Sequence, residues 1–388
     1  MVLGSQALLL GGLLAVATGS PTPQWGDWHS NVSTSPASST CSDSYGPTAA
    51  PYLNDLAHSA GLQYFGSATD QPGSGEDTNY VYQLILNDTR IFGQVTPANY
   101  MKYFATEPEQ NVFNYTGGEV AVHIAQDHGK VLRCHNLIWL SQLPDWVVNG
   151  TWTCDELISV MENHITNLVT HWADVCYAWD VVNEALNQNG TWASSIWYDT
   201  IGEDYFYLAY QFAANAADAT GKDIKLYYND YGIENANNKS AALLNTVLPE
   251  FKARGIRIDG IGLESHFTVG QTPNYTAQID IHQQYASFGL EVAVTELDIR
   301  LEDASTAHTN SSGQAIQAQE YYDTVKACVD SGNCVGVTVW DFYDYYSWIP
   351  STFPGEGAAD LYWEDFTRKP AYQAVADALE GVPCSVCG

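Results

Sequence analysis

The segment Tyr177-Ala178-Trp179-Asp180-Val181-Val182-Asn183-Glu184 places polar residues at the carboxyl end of a short apolar, strand-like run. Short runs of this kind alternate with longer stretches of helical character along most of the chain. Eight strands that alternate with helices are the pattern of a (β/α)8 barrel. The sequence therefore predicts the α/β class and a single (β/α)8 TIM barrel. The predicted strands are residues 62–67, 90–95, 131–137, 177–182, 224–228, 260–263, 291–295 and 336–340.

Polar residues recur where the predicted strands end. In a (β/α)8 barrel the carboxyl ends of all strands share one face, and active sites are built on that face. A single carboxylate there could instead cap the next helix, but repeated placement predicts an active site. The segments concerned are Arg133-Cys134-His135, Asp180-Val181-Val182-Asn183-Glu184, Asn229-Asp230-Tyr231, Glu264-Ser265-His266, Thr295-Glu296-Leu297-Asp298 and Trp340-Asp341.

Composition excludes several classes of partner. The 388 residues carry a formal net charge of −31, which argues against nucleic acid and against an anionic membrane surface. Hydrophobic residues make up 45% and aromatic residues 13% of the chain, so a large core is expected. The length fits one large α/β barrel and no second linker appears, so one domain is predicted over residues 41–388; a monomer is expected.

The start of the chain indicates secretion. An apolar run over residues 8–16 ends in Ala15-Val16-Ala17, which is typical of a cleaved signal peptide, although no Lys or Arg precedes it. We assign residues 1–19 to the signal peptide and residues 20–40 to a Ser/Thr/Pro-rich lead-in. Glycosylation sequons support an extracellular, glycosylated protein. They begin at Asn31, Asn87, Asn114, Asn149, Asn189, Asn238, Asn274 and Asn310.

The cysteines indicate disulfides rather than a metal. All eight lie beyond the predicted signal peptide, and an even number suits an oxidising compartment. Cys328 and Cys334 bracket a short loop and are the predicted local bridge. Cys384 and Cys387 form a CxxC pair at a chain end without the context of a redox fold. The remaining pairings stay open.

Cofactor chemistry lacks sequence support. No Gly-rich phosphate loop follows the first strand, and no GxSxG motif is present. His135 and His266 lack a third metal ligand at helical or hairpin spacing, so neither a metal nor a cofactor is predicted. Carboxylates, amides and tryptophans at the strand ends instead predict a sugar site, because Trp rings stack on flat sugar faces.

Two glutamates have the placement that glycoside hydrolysis requires. Glu184 ends the fourth predicted strand and Glu296 the seventh, so they lie across the barrel opening from each other. Glu184 is expected to hold a proton near neutral pH. His266 is expected to keep Glu296 ionised, with Asp298 orienting the imidazole. Asn183 is placed to hold a sugar 2-hydroxyl.

Ordered motifs across residues of about 41–381 resemble glycoside hydrolase family 10. Trp179-Asp180-Val181-Val182-Asn183-Glu184-Ala185 resembles the family's acid/base segment, and Val294-Thr295-Glu296-Leu297-Asp298 resembles its nucleophile segment. Further matches cover most other strand ends. They are Thr96 to Lys102, His135-Asn136-Leu137-Ile138-Trp139, Ser141-Gln142-Leu143-Pro144, Tyr228-Asn229-Asp230-Tyr231, Ser265-His266, Thr338-Val339-Trp340, Ser347-Trp348 and Lys369-Pro370-Ala371-Tyr372.

The resemblance implies a retaining endo-1,4-β-xylanase that needs no cofactor and acts on plant cell-wall polysaccharide. It makes Glu184 the acid/base and Glu296 the nucleophile, with Asp180 and Asp298 as supporting residues. Trp340 and Trp348 would wall the site beside the cleaved bond. The residues expected to bind substrate are Asn99, Lys102, His135, Trp139, Gln142, Asn183, Tyr231, Glu264, His266, Trp340 and Trp348.

Four positions depart from the family pattern. Ala98 replaces a Glu, Leu140 a His, Glu264 a Gln and Ile349 an Arg. Three of these changes remove a polar sugar contact, and Glu264 adds a carboxylate near the nucleophile. We expect one carboxyl pKa in this group to rise and the activity optimum to shift towards acid.

Two other functions remain open on the sequence. A tomatinase-like glycosidase would remove the oligosaccharide from a plant steroidal saponin, and Leu140 and Ile349 would suit such an apolar ligand. A non-catalytic carbohydrate-binding barrel is the third interpretation. The retention of both glutamates together with Asn183, His266 and Asp298 argues against it.

Overall fold

The computed structural model of the protein describes residues 46–388. The predicted signal peptide and lead-in lie outside the described residues. The strands alternate with helices, as the sequence predicts. In chain order they are β1 Tyr64–Thr69, β2 Gln94–Pro97, β3 Val131–Cys134, β4 Cys176–Asn183, β5 Lys225–Asp230, β6 Gly260–Leu263, β7 His266–Thr268, β8 Glu291–Arg300 and β9 Cys334–Val339.

Eight of these strands close into a parallel barrel. Each of β1 to β5 pairs with the strand that follows it, β6 pairs with β8, β8 with β9, and β9 returns to β1. The short strand β7 pairs with the outer half of β8, with His266 opposite Asp298. All carboxyl ends therefore point to one opening, which we call the barrel mouth.

Helices surround the barrel, and local sequence signals set several of their ends. Thr153 and Glu156 form a capping box at the start of the helix Cys154–His171. Gly129 and Gly221 end two other helices in the left-handed conformation. The helices are Leu53–Ser59, Tyr80–Asn87, Tyr103–Thr106, Thr116–His128, Asp145–Val148, Cys154–His171, Ile196–Ile201, Asp204–Thr220, Asn238–Ala242, Leu248–Arg254, Tyr275–Ala286, Ser311–Ser331, Ile349–Thr352 and Pro370–Glu380, with a π-helical turn at Leu243–Val247.

The predicted strands match the observed ones with shifted ends. Gly260–Leu263 is predicted to the residue, whereas the second strand begins four residues later than predicted, at Gln94. The third strand ends at Cys134 rather than at residue 137, although Leu137 and Ile138 still donate to the carbonyls of Asp180 and Val181 on β4. Strand β8 runs on to Arg300, which lets it pair with β7, an element absent from the prediction.

A buried ion pair fills the barrel interior below the mouth. Arg133 on β3 donates to Asp180 on β4 at 2.7 Å, and both side chains are buried. The Arg133 guanidinium also lies 4.4 Å from the ring centroid of Tyr227 on β5. Because a buried charge needs a partner, this pair fixes the Asp180 carboxylate in place.

Three disulfides lie in the described part of the chain. Cys328–Cys334 confirms the predicted local bridge. Cys134–Cys176 joins β3 to β4, and Cys384–Cys387 closes the C-terminal CxxC pair. Cys154 is exposed, and the eighth cysteine, Cys41, lies outside the described residues. No helix within residues 46–388 is long and apolar enough to cross a membrane.

Candidate active site

Glu184 lies just beyond the end of β4, in a part of the mouth rich in carboxylates. Its backbone adopts a left-handed conformation with φ of 52°, and its N–H donates to the carbonyl of Asn229 at 3.0 Å. Asn183 Nδ2 donates to the Glu184 carboxyl at 3.2 Å. Burial, together with the negative charges of Asp230 and Glu296, raises the pKa of Glu184 to about 7. This carboxyl group is therefore protonated in mildly acidic solution.

Glu296 lies within β8 and is only 5% exposed. His266 Nε2 donates to one carboxylate oxygen at 3.1 Å, and Asn229 Nδ2 donates to the other at 2.7 Å. His135 Nδ1 lies 3.8 Å away. Burial alone would raise the pKa of Glu296, but the His266 hydrogen bond and the fields of His135, His266 and Lys102 lower it to about 2. Glu296 is therefore ionised under ordinary conditions.

His266 is held between two carboxylates. The β7–β8 register puts it beside Asp298, whose Oδ2 accepts from Nδ1 at 2.8 Å. Trp348 Nε1 donates to the same Asp298 oxygen at 2.8 Å, and its ring packs edge-on against the imidazole. Burial would lower the pKa of His266, but Asp298 and Glu296 raise it to about 10. The imidazole is therefore a cation, and its contacts with Glu296 and Asp298 are those that the sequence predicts.

Asn229, near the end of β5, connects the mouth residues, and the sequence analysis did not select it. Its Nδ2 donates to Glu296 at 2.7 Å and to Asn183 Oδ1 at 2.8 Å, and lies 3.1 Å from a Glu264 oxygen. Its Oδ1 accepts from Thr295 Oγ1 at 2.6 Å. Two amide hydrogens thus serve three acceptors. Asn229 lies in the polar segment at the end of the fifth predicted strand, and this position was the sequence signal that could have identified it as a site residue.

Glu264 follows β6 and is only 2% exposed. Burial and the negative charges of Glu296 and Glu184 raise its pKa well above the usual range. This is the rise in one carboxyl pKa that the sequence analysis expected. Glu264 is therefore a neutral carboxylic acid in the acidic pH range, with the shape and hydrogen-bonding capacity of glutamine.

A second polar group lies at the ends of β2 and β3. Lys102 Nζ donates to Gln142 Oε1 at 2.7 Å and to Asn99 Oδ1 at 3.2 Å, and lies 4.7 Å from the ring centroid of Trp139. Gln142 Nε2 donates to the same Asn99 oxygen at 2.9 Å. Burial lowers the pKa of Lys102 to about 8, although Glu296 and Glu184 oppose this shift. Four residues predicted to bind sugar are thus in mutual contact.

His135 joins the barrel interior to the mouth. Its Nδ1 donates to Asp180 at 3.0 Å, so the buried Arg133–Asp180 pair orients the ring. Trp340, which follows β9, packs edge-on against this imidazole with ring centroids 5.2 Å apart. Asp180, which is predicted to be a supporting residue, thus contacts His135, which is predicted to bind substrate.

Tyr231 stands at the outer edge of the site. Its side chain is 41% exposed, and Lys239 Nζ lies 4.0 Å from its ring centroid. Lys239 also forms a fully buried ion pair of 2.6 Å with Asp230, next to Glu184. Lys239 could not be identified from the sequence, because a single lysine in a helical stretch gives no signal of such a pairing.

Only one group of three metal-ligand side chains occurs within residues 46–388. Glu264, His266 and Glu296 each offer a ligand atom, and these atoms lie within 4.8 Å of one another. No third metal ligand accompanies His266 at helical or hairpin spacing along the sequence. The barrel supplies two, because β6, β7 and β8 are neighbours in space.

These features define a class of enzyme. A barrel mouth holds one carboxyl group that tends to keep its proton and one that is ionised, surrounded by amides and indoles. Glycoside hydrolases use such a pair of carboxyl groups, one as a proton donor and one as an anion. A sequence model of glycosyl hydrolase family 10 matches residues 52–378. The chain belongs to glycosyl hydrolase family 10.

Similar proteins agree in fold and family. The chain is 46% identical over 329 residues to endo-1,4-beta-xylanase A of Phanerodontia chrysosporium, which covers 85% of this chain and 77% of that protein. Among solved structures, Penicillium canescens endo-1,4-beta-xylanase XylE has a TM-score of 0.84 and 52% identity, covering 86% of this chain and 99% of that one. A xylanase from Bispora sp. MEY-1, solved with xylobiose, has a TM-score of 0.81 and 46% identity, covering 84% and 99%.

Proposed function

We propose that this protein is a secreted, retaining endo-1,4-β-xylanase in which Glu296 is the nucleophile and Glu184 the acid/base. The observation that carries the proposal is the opposite shift of two neighbouring carboxyl groups. The pKa of Glu184 is raised to about 7, whereas that of Glu296 is lowered to about 2. Between these values one residue can donate a proton while the other is a free anion.

The reaction follows from these protonation states. Glu296 attacks the anomeric carbon while Glu184 gives its proton to the leaving glycosidic oxygen, and a covalent glycosyl-enzyme forms. Glu184, now ionised, then takes a proton from water as the water attacks the same carbon and releases Glu296. The first step thus leaves Glu184 in the state that the second step needs.

The surrounding residues supply binding and orientation. Asn183 is bonded to Glu184 and to Asn229, so its amide is fixed beside the reacting centre for contact with a sugar 2-hydroxyl. Asn99, Lys102, Gln142 and Trp139 would hold the glycone sugars, and His135 and Tyr231 would add polar contacts. Trp340 and Trp348 would form the walls beside the cleaved bond.

Xylan is the substrate best supported by similar proteins. Relatives that cover most of the chain are named endo-1,4-beta-xylanases, and the Bispora neighbour was solved with xylobiose. The saponin alternative rested on two apolar replacements. Leu140 is 39% exposed beside Trp139, but Ile349 is fully buried and presents no apolar surface to a ligand. The structure therefore weakens one of the two arguments for a saponin.

We also propose secretion and a monomeric state, with residues 1–19 as the signal peptide and residues 41–388 as one catalytic domain. Fungal xylanases among the relatives support an extracellular enzyme. Three disulfides in the described chain fit an oxidising compartment. Mass spectrometry of the exported protein would give the N-terminus and the glycosylated sequons.

The test compares substrates with the purified protein. Release of reducing sugar from β-1,4-xylan, with products of several lengths and initial retention of the β-anomer by NMR, is expected. A steroidal saponin is assayed in parallel, and Glu296→Ala serves as the inactive control. Release of oligosaccharide from the saponin without action on xylan would replace the substrate assignment and leave the catalytic residues in place. No turnover of either substrate would contradict the proposal.

A further inference from the structure

The group Glu264, His266 and Glu296 has the composition of a metal site. Its three ligand atoms lie within 4.8 Å of one another, and His266 Nε2 is already 3.1 Å from Glu296. Ligands of one zinc ion lie about 2.0–2.2 Å from it, so an adjustment of roughly an ångström would bring Glu264 into range. One imidazole and two carboxylates suit a divalent ion of intermediate softness such as Zn²⁺.

We propose that Glu264, His266 and Glu296 bind one divalent transition-metal ion such as Zn²⁺ at the barrel mouth. The ion replaces two protons, the one that now joins His266 Nε2 to Glu296 and the one carried by the neutral Glu264 carboxyl group, and both are released to solvent. Glu264 is the residue that completes the ligand set, because the carboxamide of a glutamine at this position would be a neutral and weaker ligand.

The residues behind the site support metal binding. Asp298 Oδ2 accepts from His266 Nδ1 at 2.8 Å, which directs Nε2 towards the two glutamates. A carboxylate behind a metal-bound histidine fixes the ring and raises its basicity. Asn229 Nδ2 donates to Glu296 at 2.7 Å and lies 3.1 Å from a Glu264 oxygen, so one amide group contacts both glutamates. The positive charge of Lys102 opposes the ion and limits the affinity.

Occupancy would make the enzyme inactive and the effect reversible. If Glu296 is the nucleophile, as proposed above, a metal-bound Glu296 cannot attack the anomeric carbon. Chelation would restore the free carboxylate. Binding itself does not depend on that assignment and is measured without substrate.

The experiment titrates ZnCl2 into the chelator-treated full-length protein by calorimetry. Excess MgCl2 is present to occupy surface carboxylates, since the chain has a net charge of −31. One saturable Zn²⁺ site per chain is expected. Glu264→Gln is expected to weaken it by at least about tenfold, which is the loss that even indirect partners of a metal ligand produce.

Glu234→Gln is the matched control. Glu234 is buried and accepts from the backbone N–H of Ser265, one residue from Glu264, but it is outside the group of three. It should keep the affinity of the wild type. Circular dichroism of the metal-free variants checks the fold, and the visible absorption of bound Co²⁺ tests the wild type without any substitution.

Several results would overturn the proposal. They are the absence of a one-to-one site in MgCl2, equal Zn²⁺ affinity in the wild type and Glu264→Gln, and equal losses in Glu264→Gln and Glu234→Gln. If Glu264→Gln does not fold, a wild type that gains no Co²⁺ absorption at one equivalent is decisive. A protein that binds Zn²⁺ but hydrolyses no glycan would refute the proposed function and leave this site intact.

Discussion

The two sides of the barrel mouth give the same amino acid opposite properties. Glu184, at the end of β4, faces Asp230 and Glu296, and its pKa is raised to about 7. Glu296, within β8, has His266 and Asn229 as hydrogen-bond donors and His135 at 3.8 Å, and its pKa is lowered to about 2. Burial acts to raise the pKa of both carboxyl groups, so burial alone does not separate them.

The difference lies in the sign of the neighbours. Desolvation raises the pKa of any carboxyl group, and only charges and hydrogen-bond donors can reverse this shift. The β8 side has three such donors or cations, whereas the β4 side has mainly carboxylates. Strand position therefore decides which glutamate tends to keep its proton. Variants that alter one side at a time should separate the two roles.

Glu296→Ala should have the largest effect. Loss of the nucleophile removes the covalent step, so turnover should fall by at least about 10⁴-fold on xylan and on activated aryl glycosides alike. Burst kinetics with an aryl glycoside would check the covalent intermediate. Residual turnover within about 100-fold of the wild type would show that Glu296 is not the nucleophile.

Glu184→Ala should lose less activity than Glu296→Ala, and the size of the loss should depend on the leaving group of the substrate. General acid catalysis contributes roughly 10²- to 10⁴-fold, so xylan turnover should fall by about that amount. An aryl glycoside with an acidic phenol leaves without a proton, so formation of its intermediate should be nearly unaffected. Equal losses on both substrates would contradict the role of Glu184 as acid.

The wild-type pH profile tests the same residue. The proton donor is the protonated form, and the pKa of Glu184 is raised to about 7, so kcat/KM should fall as the pH rises through about 7. Glu184→Gln cannot titrate and should lack this alkaline limb on the activated substrate. An alkaline limb that persists in Glu184→Gln would assign it to another group.

The sequence predicted the parts of this site that depend on strand order. The eight alternating runs gave the barrel, and a barrel brings Glu184, Glu296, His266 and Asp298 to one face wherever the strand ends fall. Errors of up to five residues at strand ends, as at Arg300, therefore did not affect the site. The two glutamates could be identified because the carboxyl ends of all barrel strands share one face, whatever the exact strand boundaries are.

Contacts between strands could not be predicted in the same way. Asn229 serves three acceptors because β4, β5, β6 and β8 converge on it, and no spacing along the chain encodes that convergence. The burial of Ile349 likewise depends on how its short helix packs. Spacing rules find ligands within one element, so they also missed the group around His266.

Asn229→Ala should have an intermediate effect. It removes the 2.7 Å donor to Glu296 and frees Asn183, while the His266 bond remains. A hydrogen bond to a charged group is worth about 1.5–3 kcal/mol, which corresponds to a loss of roughly 10- to 150-fold in kcat/KM. The acid limb should also move to higher pH, because Glu296 loses a donor to its ionised form.

Thr295→Val is the matched control for Asn229. Thr295 Oγ1 donates to Asn229 Oδ1 at 2.6 Å and does not bond Glu296. The valine keeps the shape and removes only the bond that orients the amide, so a loss below about tenfold is expected. A loss as large as that of Asn229→Ala would mean that orientation, and not donation to Glu296, is what Asn229 supplies.

Glu264→Gln should have the smallest effect on activity. It tests whether Glu264 keeps its proton, as Glu184 does, or is ionised, as Glu296 is. Because Glu296, Glu184 and burial raise the pKa of Glu264 well above the usual range, the wild-type side chain is neutral in acid. Glutamine is also neutral and of the same shape, so kcat/KM below about pH 6 should change by less than roughly threefold. The acid limb should stay in place.

The direction in which Glu264→Gln shifts the alkaline limb follows from the electrostatic coupling between Glu264 and Glu184. When the wild-type Glu264 ionises at high pH, its charge favours the protonated form of Glu184, and Glu264→Gln lacks this charge. The alkaline limb of the variant should therefore lie at equal or slightly lower pH than that of the wild type. Infrared difference spectra should show a protonated carboxyl band in the wild type that Glu264→Gln loses. A shift of the acid limb by more than about half a pH unit would mean that Glu264 titrates with Glu296, and that the mouth has two anions on the β8 side.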